Sequence, residues 1–208
     1  MKNLIKSIFK IIIIALLFTY CDPHNPATEG IDLPPINLGF KMYPDTAYIK
    51  EGETVTFSGS VSNILSNGVK IEKGQCIVRI YFGYWEQTPI TEFGNVSAER
   101  NEHFDLEIVK GGVKTWTGTN KNQILDIYAE PYGDSLQVEF KFKMLKKGTY
   151  SLHLYSSFYD EKNIGKARTN PKFEMQNTHW DLWQVPNMPG HKAGEEGYYN
   201  SYKFAVIQ

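Results

Sequence analysis

An all-β sandwich is the fold class this sequence predicts, and three observations predict it. Apolar side chains recur at every second residue in several segments, turn residues punctuate the chain at intervals of roughly ten positions, and no helical period of useful length occurs between Tyr48 and Phe158. Parallel βαβ units would need helical crossovers that this stretch lacks, which leaves antiparallel strands. Aromatic residues form 14% and hydrophobic residues 41% of the 208 positions, which is enough for a packed core and excludes a wholly disordered chain. The 13 Tyr and 12 Phe suit the pleated surface of a sheet.

Taken in order, the chain opens with Lys2, Lys6 and Lys10 and an apolar run from Ile11 to Phe18, with no acidic residue in positions 1–20. This is the pattern of an export signal, and the run is far shorter than the ~20 residues that span a bilayer, so removal is expected. Residues 21–30, with Pro23 and Pro26, suit neither a helix interior nor a central strand and read as a tether. Residues 31–208 are expected to form one domain.

Within that domain Ala47–Ile49 reads as an edge strand, and Val55, Phe57, Gly59 and Val61 alternate with Thr and Ser. Cys76–Trp85 reads as a central strand with Ile80, Phe82 and Tyr84 on one side and Tyr81, Gly83 and Trp85 on the other. That second side is either covered as well or a binding face. Phe104–Lys110 and Val113–Gly118 flank Gly111-Gly112 like the arms of a hairpin, and Gln123–Glu130 forms a further strand. Leu136, Val138, Phe140, Phe142 and Met144 point one way along the next strand, and Lys146-Lys147-Gly148 turns the chain into Thr149–Phe158 as a second hairpin. Residues 160–197 are polar and irregular, a connection long enough to be a functional loop or to hide short elements such as a strand at Lys172–Gln176. Tyr198–Ile207 closes the sheet.

Gly148-Thr149-Tyr150 resembles the opening of the penultimate strand of immunoglobulin-like domains. The resemblance implies an immunoglobulin-like antiparallel β-sandwich in which the Tyr150 hydroxyl is buried against backbone as a tyrosine corner. The second cysteine of that family, two residues on, is Leu152 here, so no inter-sheet disulfide is expected. Phe18-Thr19-Tyr20-Cys21 resembles the lipobox of bacterial lipoproteins, with Tyr20 at the place of the usual small residue, and implies lipidation of Cys21. Asp45-Thr46-Ala47 and Asp134-Ser135-Leu136 resemble the O-glycosylation acceptor of Bacteroidetes-type bacteria, which implies Thr46 and Ser135 as modified residues. Taken together, these features resemble the surface lipoproteins of that phylum.

With Cys21 acylated only Cys76 remains, in an apolar setting that reads as core filler. Loss of Lys2, Lys6 and Lys10 with the leader takes three of the 22 basic residues and leaves 19 against 23 acidic, a net charge of -4. Neither nucleic acid nor an anionic membrane surface attracts such a chain, so the expected membrane partner is reached through the lipid on Cys21. The five histidines show no metal-ligand spacing, and no nucleophile elbow or phosphate loop occurs, so no catalytic residue, metal or cofactor is assigned. Two carboxylates meeting across strands would escape this reading, but no pair stands out.

Trp180 and Trp183, followed by Tyr199, supply flat rings beside Asp, Asn and Gln, the chemistry of a sugar-stacking platform. The competing reading is that the two indoles plug the end of the sandwich. The expected function is a lipid-anchored, non-enzymatic binding or adhesion module of the cell envelope, an outer-membrane lipoprotein whose partner is a glycan or another envelope protein. The alternative is a glycan-binding component of a polysaccharide-uptake system.

Overall fold

A computed structural model describes residues 36–64, 66, 68, 70–74, 76–94, 96–117, 124–155 and 169–208. The leader, Cys21 and the tether lie outside the described residues. The strands are, in chain order, β1 (Ile36–Tyr43), β2 (Tyr48–Lys50), β3 (Thr54–Ser62), β4 (Ile77–Trp85), β5 (Val96–Ser97), β6 (Phe104–Lys110), β7 (Gly112–Thr117), β8 (Ile124–Tyr128), β9 (Glu130–Tyr132), β10 (Ser135–Met144), β11 (Gly148–Tyr155), β12 (Thr169–Phe173) and β13 (Ser201–Ile207). They form two sheets. One runs β12-β1-β3-β10-β6 with β9 also on β10, and the other runs β2-β13-β11-β4-β8-β7 with β5 also on β4.

The order β1-β3-β10-β6 faced by β13-β11-β4 is the A-B-E-D and G-F-C layout of an immunoglobulin-like sandwich, with β7 and β8 beside β4 where variable-type domains carry two extra strands. The chain makes β6 before β7 and β8, an order different from that of variable domains. The strand at Lys172–Gln176 expected inside the long connection exists at Thr169–Phe173, paired in parallel with β1.

Both predicted hairpins are corrected. β6 and β7 lie in opposite sheets, and so do β10 and β11. Local alternation reports a strand but says nothing about which sheet receives the next one. At the first crossing Gly111 has φ +82, and a Cβ there would stand 2.6 Å from the Tyr128 carbonyl, so a residue without a side chain is required.

The second crossing carries the tyrosine corner. The Tyr150 hydroxyl donates to the Lys146 carbonyl at 2.6 Å, and the Tyr84 hydroxyl donates to the neighbouring Lys147 carbonyl at 2.8 Å. Two buried rings thus grip successive carbonyls of one turn. Tyr150→Phe leaves the Lys146 carbonyl without its donor, and urea unfolding is expected to show a loss of about 1–2 kcal/mol with the slope unchanged.

The core forms where the inward faces meet. Leu136, Val138, Phe140, Phe142 and Met144 of β10 are all buried, as the alternation predicts. Phe82 from the other sheet lies 4.8 Å from Phe104 and 5.2 Å from Phe142, ring centre to ring centre. Leu152 is fully buried, and Cys76 is a free buried thiol that burial pushes up to about 12, in keeping with filler.

Candidate functional site

The outer face of the β13-β11-β4 sheet is where the structure departs most from simple alternation. Residues pointing away from the core on these strands include Ser201, Lys203 and Ala205, then Thr149 and Ser151, then Gly83 and Trp85, and all are buried. Residues 177–200 lie across them. The Lys203 backbone N–H donates to the Thr178 carbonyl at 3.0 Å, in register beyond the end of the short β2. Ile90 donates to the Leu182 carbonyl and accepts from Gln184, both at 2.8 Å, which clasps this segment to the loop after β4. Trp85, Ile90 and Val185, with Trp183 against them, make a second apolar cluster outside the main core.

Lys203 is the unusual member of this layer. It is 2% exposed, its Nζ stands 3.0 Å from the centre of the Trp180 ring, and it donates to Ser201 Oγ at 3.1 Å. Ser201 Oγ in turn shares a hydrogen bond with Ser151 Oγ at 2.8 Å. No carboxylate is among the causes acting on the amine, and burial holds its pKa well below the ordinary lysine value. A ring face supplies about 2 kcal/mol to a desolvated cation, whereas taking an unpaired ion out of water costs several, so desolvation wins.

His153, on the same face, is held at about 4, first by burial and then by the charges of Lys203 and His191. Because this folded-state value lies below the ordinary 6.5, the unfolded chain binds the proton first. The contribution to stability is present above pH 6.5 and is lost as pH falls toward 4, by about 2–3 kcal/mol. Acid titration of urea midpoints is expected to show this slope in the wild type, and a His153→Gln variant should flatten it.

The predicted site residues are distributed as follows. Trp180 and Trp183 come together, ring centres 6.1 Å apart, but their indole N–H groups donate to the Tyr198 and Met188 carbonyls at 3.0 and 2.8 Å. Both are half-buried in the layer over the sheet. Tyr199 packs edge-on against Tyr198, 4.8 Å between ring centres. Thr46 is half-buried in a local turn with Tyr48, and half-buried Ser135 donates to the Tyr132 carbonyl. His191 meets Glu195 at 3.9 Å, whereas His179 faces Asp45 at 3.6 Å.

The sequence did not join Trp183 to its neighbours in space. Trp85 meets it edge-on at 6.0 Å, and Phe93, 73% exposed, does so at 6.5 Å. This aromatic wall leads into a pocket of about 480 Å³ at the end of the sandwich. Tyr84, Trp85 and His103 line it with Glu86, Glu99, Glu102 and Lys146. Strand β4 delivers the first pair at its end, the turn before β6 delivers Glu99 to His103, and the tyrosine corner delivers Lys146.

Geometry fixes the state of His103. Its Nδ1 accepts from the Glu99 backbone N–H at 3.0 Å, so the ring proton lies on Nε2, and burial together with the Lys146 charge lowers its pKa. Its ring lies 4.3 Å from that of Tyr84. Glu102 pairs with Lys146 at 2.8 Å, and this bond holds its carboxyl below the usual range. The Glu102 carboxylate is 3.8 Å from His103 Nε2, too far for a hydrogen bond. His103 Nε2 and Trp85 Nε1 are buried N–H donors with no partner among the described residues. Also among the described residues, no group of three or more His, Cys, Asp or Glu is placed to hold a metal ion.

The sequence matches no protein-family profile and no curated protein. Its fold is similar to that of the N-terminal domain of the Streptococcus gordonii adhesin Sgo0707, with 12% identity over 82% of this chain and 32% of that one, at a TM-score of 0.28. A type II cohesin domain from the cellulosome of Acetivibrio cellulolyticus shares 14% identity over 65% of this chain and 84% of its own, at 0.26. A DUF4466 family protein from Parabacteroides merdae shares 9% over 66% of this chain and 44% of its own, at 0.28. Likenesses this slight carry no functional conclusion.

Proposed function

We propose that this chain is a non-enzymatic binding module of the cell envelope, held to the outer membrane by a lipid on Cys21 and presenting one end of its sandwich to a partner. The observation that carries the reading is the aromatic wall of exposed Phe93, half-buried Trp183 and buried Trp85, opening into the pocket of about 480 Å³. An exposed phenylalanine beside a concave polar site is the arrangement that recognition uses, with rings for contact area and convergent polar groups for orientation. The ring cluster and the clasp at Ile90 keep that end rigid before a partner arrives, which lowers the ordering cost of binding.

A second reading, capture of glycan for uptake with Trp180, Trp183 and Tyr199 stacking on sugar rings, is favoured by the two indoles set 6.1 Å apart with part of each exposed.

Both readings meet one experiment. The full chain is presented to immobilised polysaccharides and envelope proteins, alongside Phe93→Ala, Trp183→Ala and Trp180→Ala. A captured partner lost with Phe93→Ala supports the wall, and one lost only with Trp180→Ala moves the site to the second reading. Absence of capture on every surface ends the module reading. Labelling with a palmitate analogue, wild type against Cys21→Ser, is expected to mark only the wild type, and equal labelling would overturn the anchor.

A further inference from the structure

We infer that the exposed apolar patch carried by Phe93, Trp183 and Met188 at the tip of the sandwich is a docking surface for a short arginine-bearing segment of a partner protein. The inference rests on the reading of this chain as a binding module and names the kind of partner that the module holds. Exposed rings, a rigid mounting and a one-sided charge lead to it in turn.

The apolar surface comes first. Phe93, between β4 and β5, keeps most of its ring in solvent and meets Trp183 edge-on, 6.5 Å between ring centres. The same indole donates its N–H to the carbonyl of exposed Met188 at 2.8 Å. Single exposed apolar side chains are ordinary on a protein surface, but these come from two segments some ninety positions apart and are brought to one indole.

The mounting is rigid. Ile90 donates to the Leu182 carbonyl and accepts from Gln184, both at 2.8 Å, and Trp85, Ile90 and Val185 form the small core on which Trp183 rests. Phe93 and Trp183 therefore need little ordering when a partner arrives, so contact area made there converts to affinity at low entropic cost.

Charge then selects the occupant. Residues 86–94 and 180–190, the two loops that carry the patch, contain Glu86, Glu92 and Asp181 and neither lysine nor arginine. All three acids are exposed. Lys146, which borders the same end of the sandwich, is already tied to Glu102 at 2.8 Å. Anionic ligands are repelled, and a segment that is apolar and cationic at once complements both parts of the surface. Arginine does so better than lysine. Its planar guanidinium stacks on an aromatic ring and takes a carboxylate through two parallel hydrogen bonds, whereas an ammonium holds its water more tightly and offers only a point charge.

The test uses detergent-solubilised full chain and a short peptide of alternating leucine and arginine, labelled with a neutral dye and read by fluorescence anisotropy. Control peptides replace arginine by lysine or glutamate, or leucine by serine. The leucine–arginine peptide is expected to bind, less tightly as salt rises. The lysine peptide should bind several-fold more weakly, and the glutamate and serine peptides not at all. Phe93→Ala is expected to weaken binding about tenfold, and Glu92→Gln and Asp181→Asn about threefold each with a flatter salt dependence. These three positions are exposed, so melting should match the wild type. Asp134→Asn removes the same charge at the opposite end of β10 and should leave binding intact.

Binding that survives Phe93→Ala, or falls as much with Asp134→Asn as with Glu92→Gln, is general charge attraction and overturns the inference. Equal binding of the lysine peptide overturns the assignment to arginine, and no binding overturns it altogether. Self-association in sedimentation that is lost with Phe93→Ala gives the patch to a second copy of this chain and overturns it too. If capture of a polysaccharide or envelope protein by the full chain persists in any of these events, the module reading stands and only this partner fails. Loss of capture as well brings down both.

Discussion

Phe57→Ala is expected to destabilise the protein by about 3–5 kcal/mol, the cost of a large cavity in a packed core. Phe57 is fully buried and lies stacked on Phe40 of β1 at 4.6 Å, beside Phe140 of β10 at 6.3 Å and edge-on to Phe173 of β12 at 6.2 Å. One ring therefore joins three strands besides its own. Phe40 lies flat over Gly59, where a Cβ would come within 2.5 Å of the ring, so neither neighbour has room to shift into the vacated space. Urea unfolding of the two chains checks the figure. Phe57→Leu, which keeps most of the volume, should lose about 1–2 kcal/mol, and equal losses for the two would show that the site collapses around the gap.

Lys203→Met is expected to do the reverse and raise stability by about 1–3 kcal/mol at neutral pH. Methionine retains the length of the stem beneath Trp180 and removes the need to strip water from an ammonium with no carboxylate beside it. The pH dependence gives the sharper check. The folded-state pKa of Lys203 is depressed, so the unfolded chain binds more protons at any pH between that lowered value and 10.5. Stability of the wild type therefore rises with pH across this window, and the variant should lose that part of the slope. Lys203→Ala also empties the space below the indole and should give the gain away. A Met variant less stable than the wild type would mean that the contact with the Trp180 ring outweighs desolvation.

Much of the sandwich was legible because its strands obey a local rule. The alternation of Val55, Phe57, Gly59 and Val61, and of Leu136 through Met144, states directly which residues face the core, and the structure buries all of these but Val61 and Gly59, which are half-buried, Gly59 beneath Phe40. Gly148-Thr149-Tyr150 foretold a buried hydroxyl on backbone, found on the Lys146 carbonyl. The sheet assignment of β6 and β7 was not legible, since crossing from one layer to the other depends on a single backbone bend at Gly111.

The candidate site was legible only in its residue types. Ser201, Lys203 and Ala205 alternate with Tyr202, Phe204 and Val206 as though facing water, and nothing in that spacing reveals that residues 177–200 fold over them. Trp180 and Trp183 were visible as aromatics, but not as donors to the carbonyls of Tyr198 and Met188. The pocket draws on positions 84 to 103 and on Lys146, and its two unpaired N–H groups are a property of assembled neighbours that no single segment displays.

The segment laid across the outer side of the β13-β11-β4 sheet has one more consequence. Here the polypeptide has filled the berth with itself, shutting out any visitor that would lie flat on these strands. A partner of the proposed module is therefore left the tip of the molecule, and crowding several copies side by side on a surface would leave every tip open to what approaches from above.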